Sequence, residues 1–574
     1  MKNFLQLKKN LKKDFSSLKT IKLAVLGDTS TQFLTEGLRG MGFDHGFDLK
    51  IWEADFNQIE RQVYDLSSDF YEFKPEMVIV FRSSHKFLAK YNKSKPDHHK
   101  LLANNELDTV ESIYSNITNN LEAKVIYYNY TEIDDSIFGN YACKTESSFL
   151  FQLRKLNYEL MVMATNKPNL YLCDISSIQN QVGKSNFFQP TIYLSTEMVL
   201  SIDVLPKVAS KTLDLINSLT GKLMKCVILD LDNTTWGGII GDDGVENIQI
   251  GSLGIGKAFS EFQYWIKKLK NRGIIVAVCS KNTESVAKEP FEKHPDMVLR
   301  MEDISVFKAN WDNKADNIRQ IQNILNIGFD SMVFLDDNPF ERNMVKENIP
   351  EICVPELPED PADYLEYLYG LNLFETVSFS NEDKARTKLY QVEAERVKAL
   401  QNFTNEDDFL KNLEMVSDIK PFNRFNSPRV AQLSQRSNQF NLRTVRYSEA
   451  DIEKISKSNN YVTFSFTLED KFGDNGLICV IILQKADKKT LFIETWFMSC
   501  RVLKRGMENF VLNTIVDFAK DNGFDELKGE YIPTAKNGLV KDHYQYLGFK
   551  KIDPYFVLDV NNYQIKKSYI KTKK

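Results

Sequence analysis

The segment Val227–Thr234 constrains the fold of this chain more than any other. An apolar run ends there in two carboxylates, Asp230 and Asp232, which are separated by one residue. Side chains alternate along a strand, so the two acids leave the strand end on the same side. The run predicts a buried parallel strand, and open α/β sheets bind ligands at the carboxyl ends of such strands. Two like charges crowded there are costly without a cation, so the segment predicts a Mg²⁺-dependent phosphoryl-transfer site with a carboxylate nucleophile. A turn with two solvated acids is the alternative for this motif taken alone.

Two downstream segments support the phosphoryl-transfer interpretation. A second apolar run, residues 274–279, ends at Ser280, whose hydroxyl can donate to a phosphate oxygen beside Asp230. Lys314 opens a predicted helix, where its ammonium would stabilise both the nucleophile and the transferring phosphoryl group. Lys308, in the segment just before it, is the alternative for that role.

A third apolar run, residues 332–335, ends in a second acid pair, Asp336 and Asp337. Either carboxylate would complete an oxygen cage around Mg²⁺. Arg342 follows closely and is expected to contact the substrate phosphate or to pair with an acid.

The order of acid pair, serine, lysine and acid pair resembles the haloacid dehalogenase (HAD) superfamily of phosphotransferases. The resemblance implies that Asp230 is the nucleophile that becomes an aspartyl phosphate and that Asp232 is the general acid and base, with Ser280 and Lys314 completing the catalytic set. The implied metal ligands are Asp230, Asp232, Asp336 and Asp337. The implied contacts to the substrate phosphate are Thr234, Ser280, Lys281, Asn282, Lys314 and Arg342.

The motif Asp-Leu-Asp-Asn-Thr-Thr-Trp-Gly-Gly at 230–238 sharpens this resemblance to the FkbH-like branch, subfamily IIIC of the superfamily, as does Asp-Asp-Asn-Pro-Phe-Glu-Arg at 336–342. Thr235 stands where that family usually has Leu, which touches no catalytic role. The Gln/Asn-rich segment 429–442 and the segment 499–502 resemble other parts of FkbH-like proteins. The resemblance implies either a phosphatase of a polyketide or surface-polysaccharide pathway, or an enzyme that loads a glyceryl unit onto a carrier-protein thiol with release of phosphate.

The spacing between Asp230 and Ser280 leaves room for a small flap and one helix, but not for a full cap domain. The glycine-rich segment 236–244 has the turn residues of a short hairpin. An uncapped site is open, so it would accept a phosphate carried on a bulky partner, and such a partner would help to exclude water.

The composition is that of a globular protein, with 574 residues, 43% hydrophobic and 26% charged. At roughly 150 residues per domain, the chain is expected to have about three or four domains. A net charge of -5 gives no case for nucleic acid or an anionic membrane as the main partner. No apolar run approaches the ~20 residues that span a bilayer. Seven scattered cysteines without metal-binding spacing, and no apolar signal core, predict a cytoplasmic protein.

The N-terminal third has an α/β pattern that predicts a parallel sheet. Its predicted strands are Ile21–Gly27, Leu49–Trp52, Met77–Phe81, Val125–Tyr128 and Leu170–Cys173. Gly-Asp-Thr-Ser at 27–30 resembles the opening block of SGNH hydrolases, in which Ser stands at the place of Thr29. That family needs a late Asp-x-x-His for its base, and no histidine falls near residues 180–210. We therefore expect a non-catalytic domain that binds, docks or dimerises.

The C-terminal third resembles a GNAT-type acyltransferase domain, with strands predicted at 477–483 and 491–498 and a helix after them. The resemblance implies a site for acyl-CoA or phosphopantetheine formed by Arg501, Arg505, Gly506, Asn537 and Tyr544. Lys504 replaces the first glycine expected in the phosphate-binding loop, which would hinder close approach of the backbone to a phosphate. Tyr544 would be a general acid for a departing thiolate, or else a core residue. Cys500 is a candidate acyl-carrying thiol, with a buried strand-end cysteine as the alternative.

Together these features predict an α/β chain of three domains. We expect an SGNH-like α/β domain at 1–220, a HAD-like (Rossmannoid) parallel sheet without a large cap at 221–374, and a GNAT-like α+β domain at 375–574. The expected activity is a Mg²⁺-dependent phosphatase or phosphotransferase acting on a small phosphorylated metabolite. The alternatives are the glyceryl or acyl transferase with an acyl carrier protein as partner, and a scaffold without catalysis.

Overall fold

The computed structural model describes residues 2–384, 386–400, 403, 405–534 and 536–573. The chain divides into two compact units, Met1–Asn217 and Ser218–Lys574. The predicted further division at residue 374 stays a prediction, although the second unit contains two separate sheets. Within the described ranges, no helix is both long enough and apolar enough to cross a membrane.

The first unit contains a sheet of five parallel strands in the order β2-β1-β3-β4-β5, which confirms the predicted parallel sheet. The strands are β1 (Lys19–Gly27), β2 (Phe47–Glu53), β3 (Met77–Phe81), β4 (Lys124–Tyr128) and β5 (Leu170–Cys173). The helices of this unit are α1 (Phe4–Asn10), α2 (Gln32–Asp44), α3 (Ile59–Tyr64), α4 (Asp69–Phe73), α5 (Ser84–Lys93), α6 (Leu102–Asn120), α7 (Phe149–Asn166), α8 (Ile175–Val182), α9 (Lys184–Phe187), α10 (Pro190–Thr196) and α11 (Leu205–Leu219), the last of which ends at the unit boundary.

The first part of the second unit has a sheet of four parallel strands in the order β8-β7-β6-β9. The strands are β6 (Cys226–Leu229), β7 (Ile275–Ser280), β8 (Val306–Ala309) and β9 (Met332–Leu335). The helices are α12 (Ile240–Asp243), α13 (Gly254–Asn271), α14 (Glu284–Lys293), α15 (Lys314–Leu325), α16 (Pro339–Asn348) and α17 (Tyr364–Leu371). Strands β6, β7 and β9 are buried along their whole length, as expected for parallel strands covered on both faces.

The flap between β6 and α13 differs in detail from the predicted hairpin. Gly237 and Gln249 exchange two backbone hydrogen bonds of 3.0 and 2.7 Å, which close a loop rather than a hairpin. The one-turn helix α12 lies inside that loop. No cap domain lies among residues 231–279, all of which the structure describes, and this segment contains only the flap, α13 and most of β7 after the strand end.

The second part of this unit has a large, mainly antiparallel sheet in the order β16-β17-β15-β14-β13-β12-β10-β18, with β11 paired to β12. Strands β14 and β15, and β10 and β18, are the parallel pairs. The strands are β10 (Val416–Ser417), β11 (Ile419–Lys420), β12 (Tyr461–Asp470), β13 (Gly473–Lys485), β14 (Thr490–Met498), β15 (Glu526–Glu530), β16 (Lys550–Ile552), β17 (Tyr555–Asp559) and β18 (Lys571–Thr572). The helices are α18 (Asn381–Lys384), α19 (Arg386–Leu400), α20 (Glu406–Asn412), α21 (Ser427–Arg436), α22 (Glu449–Lys457), α23 (Met507–Asp521) and α24 (His543–Tyr546).

Candidate active site

Three carboxylates converge where β6 and β9 end. The two strands pair in parallel, with Leu229 opposite Leu335, so Asp230 and the pair Asp336–Asp337 leave the same sheet edge. One ligand oxygen from each acid lies within 4.8 Å of the others. Asp230 and Asp336 are buried. The arrangement concentrates three acidic groups in a space where water can solvate them poorly.

Lys314 is the cation at the centre of this group. It is the first residue of α15, and the Asn313 side chain caps that helix by accepting from the Ala315 N–H at 2.7 Å. Its Nζ lies 3.0 Å from Asp230 Oδ1 and 2.7 Å from Asp336 Oδ2. Burial alone would lower the pKa of Lys314, but the two carboxylates outweigh it and raise the pKa above its usual value. One ammonium therefore faces three acids.

The pKa values of Asp336 and Asp337 reflect this excess of negative charge. Burial, and then the charge of Asp230, raises the pKa of Asp336 to about 7 despite its contact with Lys314. Burial also raises the pKa of Asp337, although the Thr234 hydroxyl opposes the shift. Both groups would ionise more readily with another cation nearby.

Asp232 lies outside the three-acid group, so its carboxylate is not placed with the predicted metal ligands. Its Oδ1 accepts hydrogen bonds from Trp236 Nε1 and the Ile240 N–H, both at 3.0 Å, and its Oδ2 accepts from Asn282 Nδ2 at 2.9 Å. These bonds fix the carboxylate at the base of the flap. Asn233 follows it in the left-handed conformation, with φ of 54°, which redirects the chain into the flap.

Ser280, Lys281 and Asn282 follow β7 and line the same pocket as Asp230 and Lys314. Asn282 Nδ2 also lies 3.3 Å from Ser280 Oγ, and Lys281 Nζ donates to Glu341 Oε1 at 2.6 Å. The structure therefore brings these predicted phosphate-binding residues together with the acids. Lys308, the alternative to Lys314, lies on β8 and does not line the pocket.

The hydroxyl of Thr234 and the guanidinium of Arg342 contact protein groups in this structure, and Arg342 takes the predicted alternative of pairing with an acid. Thr234 is fully buried, its hydroxyl donates to Asp337 Oδ1 at 2.9 Å, and it accepts from the Asp337 N–H at the same distance. The guanidinium of Arg342 donates to the carbonyl oxygens of Asp336 and Asp337 at 2.8 and 2.6 Å, and to the carboxylate of Glu356. Both side chains hold the segment of Asp336 and Asp337 in place, and neither lines the pocket.

The pocket has a volume of about 590 Å³, within the range of small-molecule sites and far larger than a phosphoryl group. Its lining includes residues that the sequence analysis did not identify: Ile239, Asp242, Thr283, Val286, Trp311, Asn338 and Glu341. Glu341 lies within the quoted 336–342 motif, but nothing in the pattern distinguishes it from an ordinary helix residue. Trp311 is 73% exposed. The one feature of the sequence that could have identified it is its place in a loop shortly before Lys314.

The predicted C-terminal site is not an open site in this structure. Arg501 and Arg505 are buried, and Arg505 pairs with Glu393 and Asp470. The Asn537 side chain donates to the carbonyl oxygens of Asn441 and Ile532, at 2.9 and 3.0 Å. These groups are already used by the protein.

Tyr544, the predicted general acid of that site, is also in the core. It is 1% exposed, packs between Phe549 and Phe556, and has a pKa raised above its usual value by burial. Gly506 precedes α23 in the left-handed conformation, with φ of 74°. Cys500 has a pKa raised by burial, which opposes a reactive thiolate. The core interpretation of Tyr544 fits better.

Among residues 2–217, the structure shows no hydrolytic triad around Thr29. Thr29 is fully buried, and its hydroxyl has no hydrogen-bond partner among the described residues. Its neighbour Asp28 accepts from the Ser83 N–H at 2.9 Å, and burial raises the pKa of Asp28 to about 7. His85 stacks on Phe188, with ring centroids 4.2 Å apart, instead of contacting the hydroxyl.

Comparisons with known proteins now bear on this geometry. Residues 22–217 match the FkbH N-terminal domain family. The crystal structure of the N-terminal part of the protein BF1531 from Bacteroides fragilis, which contains a phosphatase domain complexed with Mg, is 56% identical in sequence. The match covers 66% of this chain and 100% of the BF1531 chain, with a TM-score of 0.64. The chain belongs to the family of BF1531.

As a member of the BF1531 family with an FkbH N-terminal domain, the chain is an enzyme of the HAD phosphatase type. The ribosomal-protein-S18-alanine N-acetyltransferase of Escherichia coli covers 25% of this chain and 94% of its own, at 16% identity and a TM-score of 0.21. Spermidine N-acetyltransferase of Vibrio cholerae, in complex with CoA and spermine, covers 25% of this chain and 96% of its own, at 11% identity and the same TM-score. No curated protein matches the chain.

Proposed function

We propose that the chain is a Mg²⁺-dependent phosphatase that works through an aspartyl phosphate on Asp230. The observation that carries the proposal is the convergence of the carboxylates of Asp230, Asp336 and Asp337, of which the first two contact the ammonium of Lys314. Three crowded carboxylates, two of them buried, against one cation are unfavourable unless a further cation completes the group.

The three acids suit Mg²⁺ by their chemistry. Mg²⁺ prefers oxygen ligands and is usually held by one or two carboxylates together with water and substrate phosphate. Asp230, Asp336 and Asp337 would hold the ion, and Thr234 and Arg342 fix the loop that carries two of them. When bound, the ion would neutralise charge on the phosphoryl oxygens. The phosphatase domain of the related BF1531 protein is complexed with Mg, which supports this choice.

The reaction would proceed in two balanced steps. In the first, a carboxylate oxygen of Asp230 forms a bond to phosphorus, the bond from phosphorus to the leaving oxygen breaks, and Asp232 gives that oxygen its proton. In the second, water forms a bond to phosphorus while Asp232 takes its proton, and the bond to Asp230 breaks. Phosphate and an alcohol are released, and both acids return to their starting forms.

The surrounding residues would hold the reacting groups in place. Lys314 keeps Asp230 oriented and offsets charge as the phosphoryl group transfers. Ser280, Lys281 and Asn282 line the pocket beside Asp230 and can donate to phosphoryl oxygens. The bonds from Trp236, Ile240 and Asn282 position Asp232 for both proton transfers.

Phosphate release by the purified full chain tests the proposal. We would use a panel of phosphorylated metabolic acids and sugars with Mg²⁺, and repeat it with EDTA. Release that requires Mg²⁺ is the expected result. Equal release with EDTA would refute the metal assignment, and no release from any substrate of the panel would count against phosphatase function.

A transferase acting on a carrier-protein thiol is the second candidate, because the mouth of the pocket is open and partly apolar. Ile239 and Trp311 line it and are 45% and 73% exposed. A carrier protein covering such a mouth would exclude water from an uncapped site. Phosphate release that occurs only with a phosphopantetheinylated carrier protein would favour this function over hydrolysis.

The flanking regions would serve this chemistry without a second catalytic centre. We propose a non-catalytic SGNH-like domain at 1–220, supported by the isolated Thr29 hydroxyl, and a GNAT-like domain at 375–574, supported by the predicted strand and helix order. The buried Arg505, which pairs with Glu393 and Asp470, argues against CoA at the predicted loop. A cytoplasmic role in polyketide or surface-polysaccharide synthesis remains a prediction from the FkbH-like resemblance.

A further inference from the structure

The active-site pocket is larger than the proposed reaction requires. Its lining beyond the acids, Lys314 and residues 280–282, here called the outer half, includes Ile239, Val286 and Trp311 together with polar side chains. A cavity of about 590 Å³ leaves space for a substantial leaving group beyond the phosphate. The lining of this outer half therefore carries information about the substrate.

Trp311 is the most distinctive group in the outer half. An indole that is 73% exposed gains free energy when a ligand covers it, because apolar surface leaves water. Single exposed apolar residues are common on protein surfaces, but this one lines the pocket that holds the proposed nucleophile. Its position makes it a candidate platform for a flat molecular face.

The loop that carries Trp311 is held firmly against the catalytic elements. Asn310 and Asn317 exchange two side-chain hydrogen bonds of 3.1 and 2.7 Å, which tie the loop to α15. The Asn310 N–H donates to the carbonyl oxygen of Ser280 at 3.2 Å. The backbone next to Trp311 is therefore held at a defined place relative to Ser280 and α15.

The polar groups of the outer half favour a ligand with many hydroxyls. Asp242, Thr283, Asn338 and Glu341 line the pocket and offer carboxylate, hydroxyl and amide oxygens that accept from O–H groups. Glu341 is paired with Lys281, so this pair adds no net charge. An apolar ring face with hydroxyls around its edge matches this combination of one aromatic surface and several acceptors.

We propose that Trp311 is the platform on which the sugar ring of a phosphorylated monosaccharide stacks while its phosphate lies at Asp230. This rests on the proposed phosphatase function and specifies its substrate class. Trp311 is a specificity-determining residue in this arrangement, because it contacts the leaving group and not the reacting atoms.

The first test compares turnover of hexose 1- and 6-phosphates with turnover of ethyl phosphate, which has no ring. We expect wild-type protein to favour a hexose phosphate in kcat/KM, and Trp311→Ala to reduce that preference by about five- to twentyfold, mainly through KM. Trp311→Phe should restore most of the preference. Tyr264→Ala is the matched control. Tyr264 lies on α13, is aromatic and 56% exposed, and does not line the pocket.

The second test separates this proposal from the proposed function. Binding of the same sugar phosphates, inorganic phosphate and a nucleoside monophosphate to Asp230→Asn protein would be measured by calorimetry in Mg²⁺. Tighter binding of a sugar phosphate than of inorganic phosphate, lost in the double variant with Trp311→Ala, would support the platform even if no turnover is found. Three results would overturn the proposal. They are an equal loss of turnover of hexose phosphate and ethyl phosphate in Trp311→Ala, tighter binding of the nucleotide than of any sugar phosphate, and equal binding of sugar phosphate and inorganic phosphate.

Discussion

Two clusters of buried charged side chains in the second unit differ in their balance of positive and negative charge. At the ends of β6 and β9, the carboxylates of Asp230, Asp336 and Asp337 share one ammonium. In the C-terminal part, Arg396 and Arg505 face Glu393 and Asp470. One cluster has an excess of negative charge and the other has equal numbers of cations and anions.

The geometry of the second cluster is that of a closed network. Arg396 lies 2.8 Å from both Glu393 Oε2 and Asp470 Oδ2, and Arg505 contacts the same two acids. Each charge has its partner inside the protein, so nothing further is needed to bury it. An imbalance therefore distinguishes a site that awaits a ligand from a network that stabilises the C-terminal part of the chain.

The largest effect should follow from Asp230→Asn. This change removes the proposed nucleophile while keeping the shape of the side chain, so phosphate release should fall by at least about a thousandfold. The fold should persist, because the change also removes one of three crowded acids. Phosphate release and circular dichroism would be measured side by side.

Asp316→Asn serves as the control for this variant. Asp316 is an exposed acid of α15 that pairs with Arg319 and does not line the pocket. It should retain wild-type phosphate release. Substantial turnover by Asp230→Asn would remove the basis for the aspartyl phosphate.

Arg505→Leu should have the converse effect. It leaves Asp470 and Glu393 with one cation between them in a buried place, so the free energy of unfolding should fall by about 3 kcal/mol. Catalysis per folded molecule should stay unchanged. Urea denaturation monitored by fluorescence, combined with phosphate release at low temperature, measures both quantities.

Lys457→Leu is a surface control for that experiment, since Lys457 forms an exposed pair with Glu453 on α22. It should change stability by less than about 0.5 kcal/mol. If Arg505→Leu were as harmless as this control but abolished activity, the arginine would belong to a functional site.

The acid pairs show how much of the site could be predicted from the sequence. A buried parallel strand must end in a polar turn, so Asp230 and Asp336–Asp337 had to meet once β6 and β9 were neighbours. Lys314 was found because it opens a helix marked by the apolar spacing of Ile318, Ile321 and Leu325. These predictions depend on local pattern and on one rule of sheet topology.

Thr234 and Arg342 show where residue type leaves the partner undecided: Arg342 takes the predicted alternative of pairing with an acid, Glu356. A hydroxyl or a guanidinium donates equally well to a phosphate, a carboxylate or a carbonyl, and residue type alone does not decide among them. The prediction that Arg505 belongs to a ligand site could not be judged from the sequence for another reason. The partners of Arg505 lie 35 and 112 residues away, and only the folded chain shows that Asp470 and Glu393 already occupy it.

Added Mg²⁺ should stabilise the first cluster and leave the second unchanged. A ligand at a hundred times its Kd contributes about 2.7 kcal/mol to folding, which corresponds to a rise of several degrees in Tm. Hydrogen exchange with Mg²⁺ and with EDTA would localise the effect, and we expect slower exchange in β9 and α15 but not in β12. Matched ionic strength with NaCl controls for screening. Equal protection of β12 would show that the effect is not local to the acids.

The smallest effect concerns protons rather than metal, and it tests whether burial alone makes a site. His543 is 8% exposed, packs edge-on against Trp496, and has a pKa lowered to about 3 by burial. Because the unfolded chain takes up the proton near its ordinary pKa of 6.5, stability is lost as pH falls below that value, by about 2 kcal/mol between pH 6.5 and 5. Hydrogen exchange of β14 would report this loss, His543→Phe should abolish it, and the exposed His98→Gln should not. A pH-independent β14 would mean that the proton is accommodated.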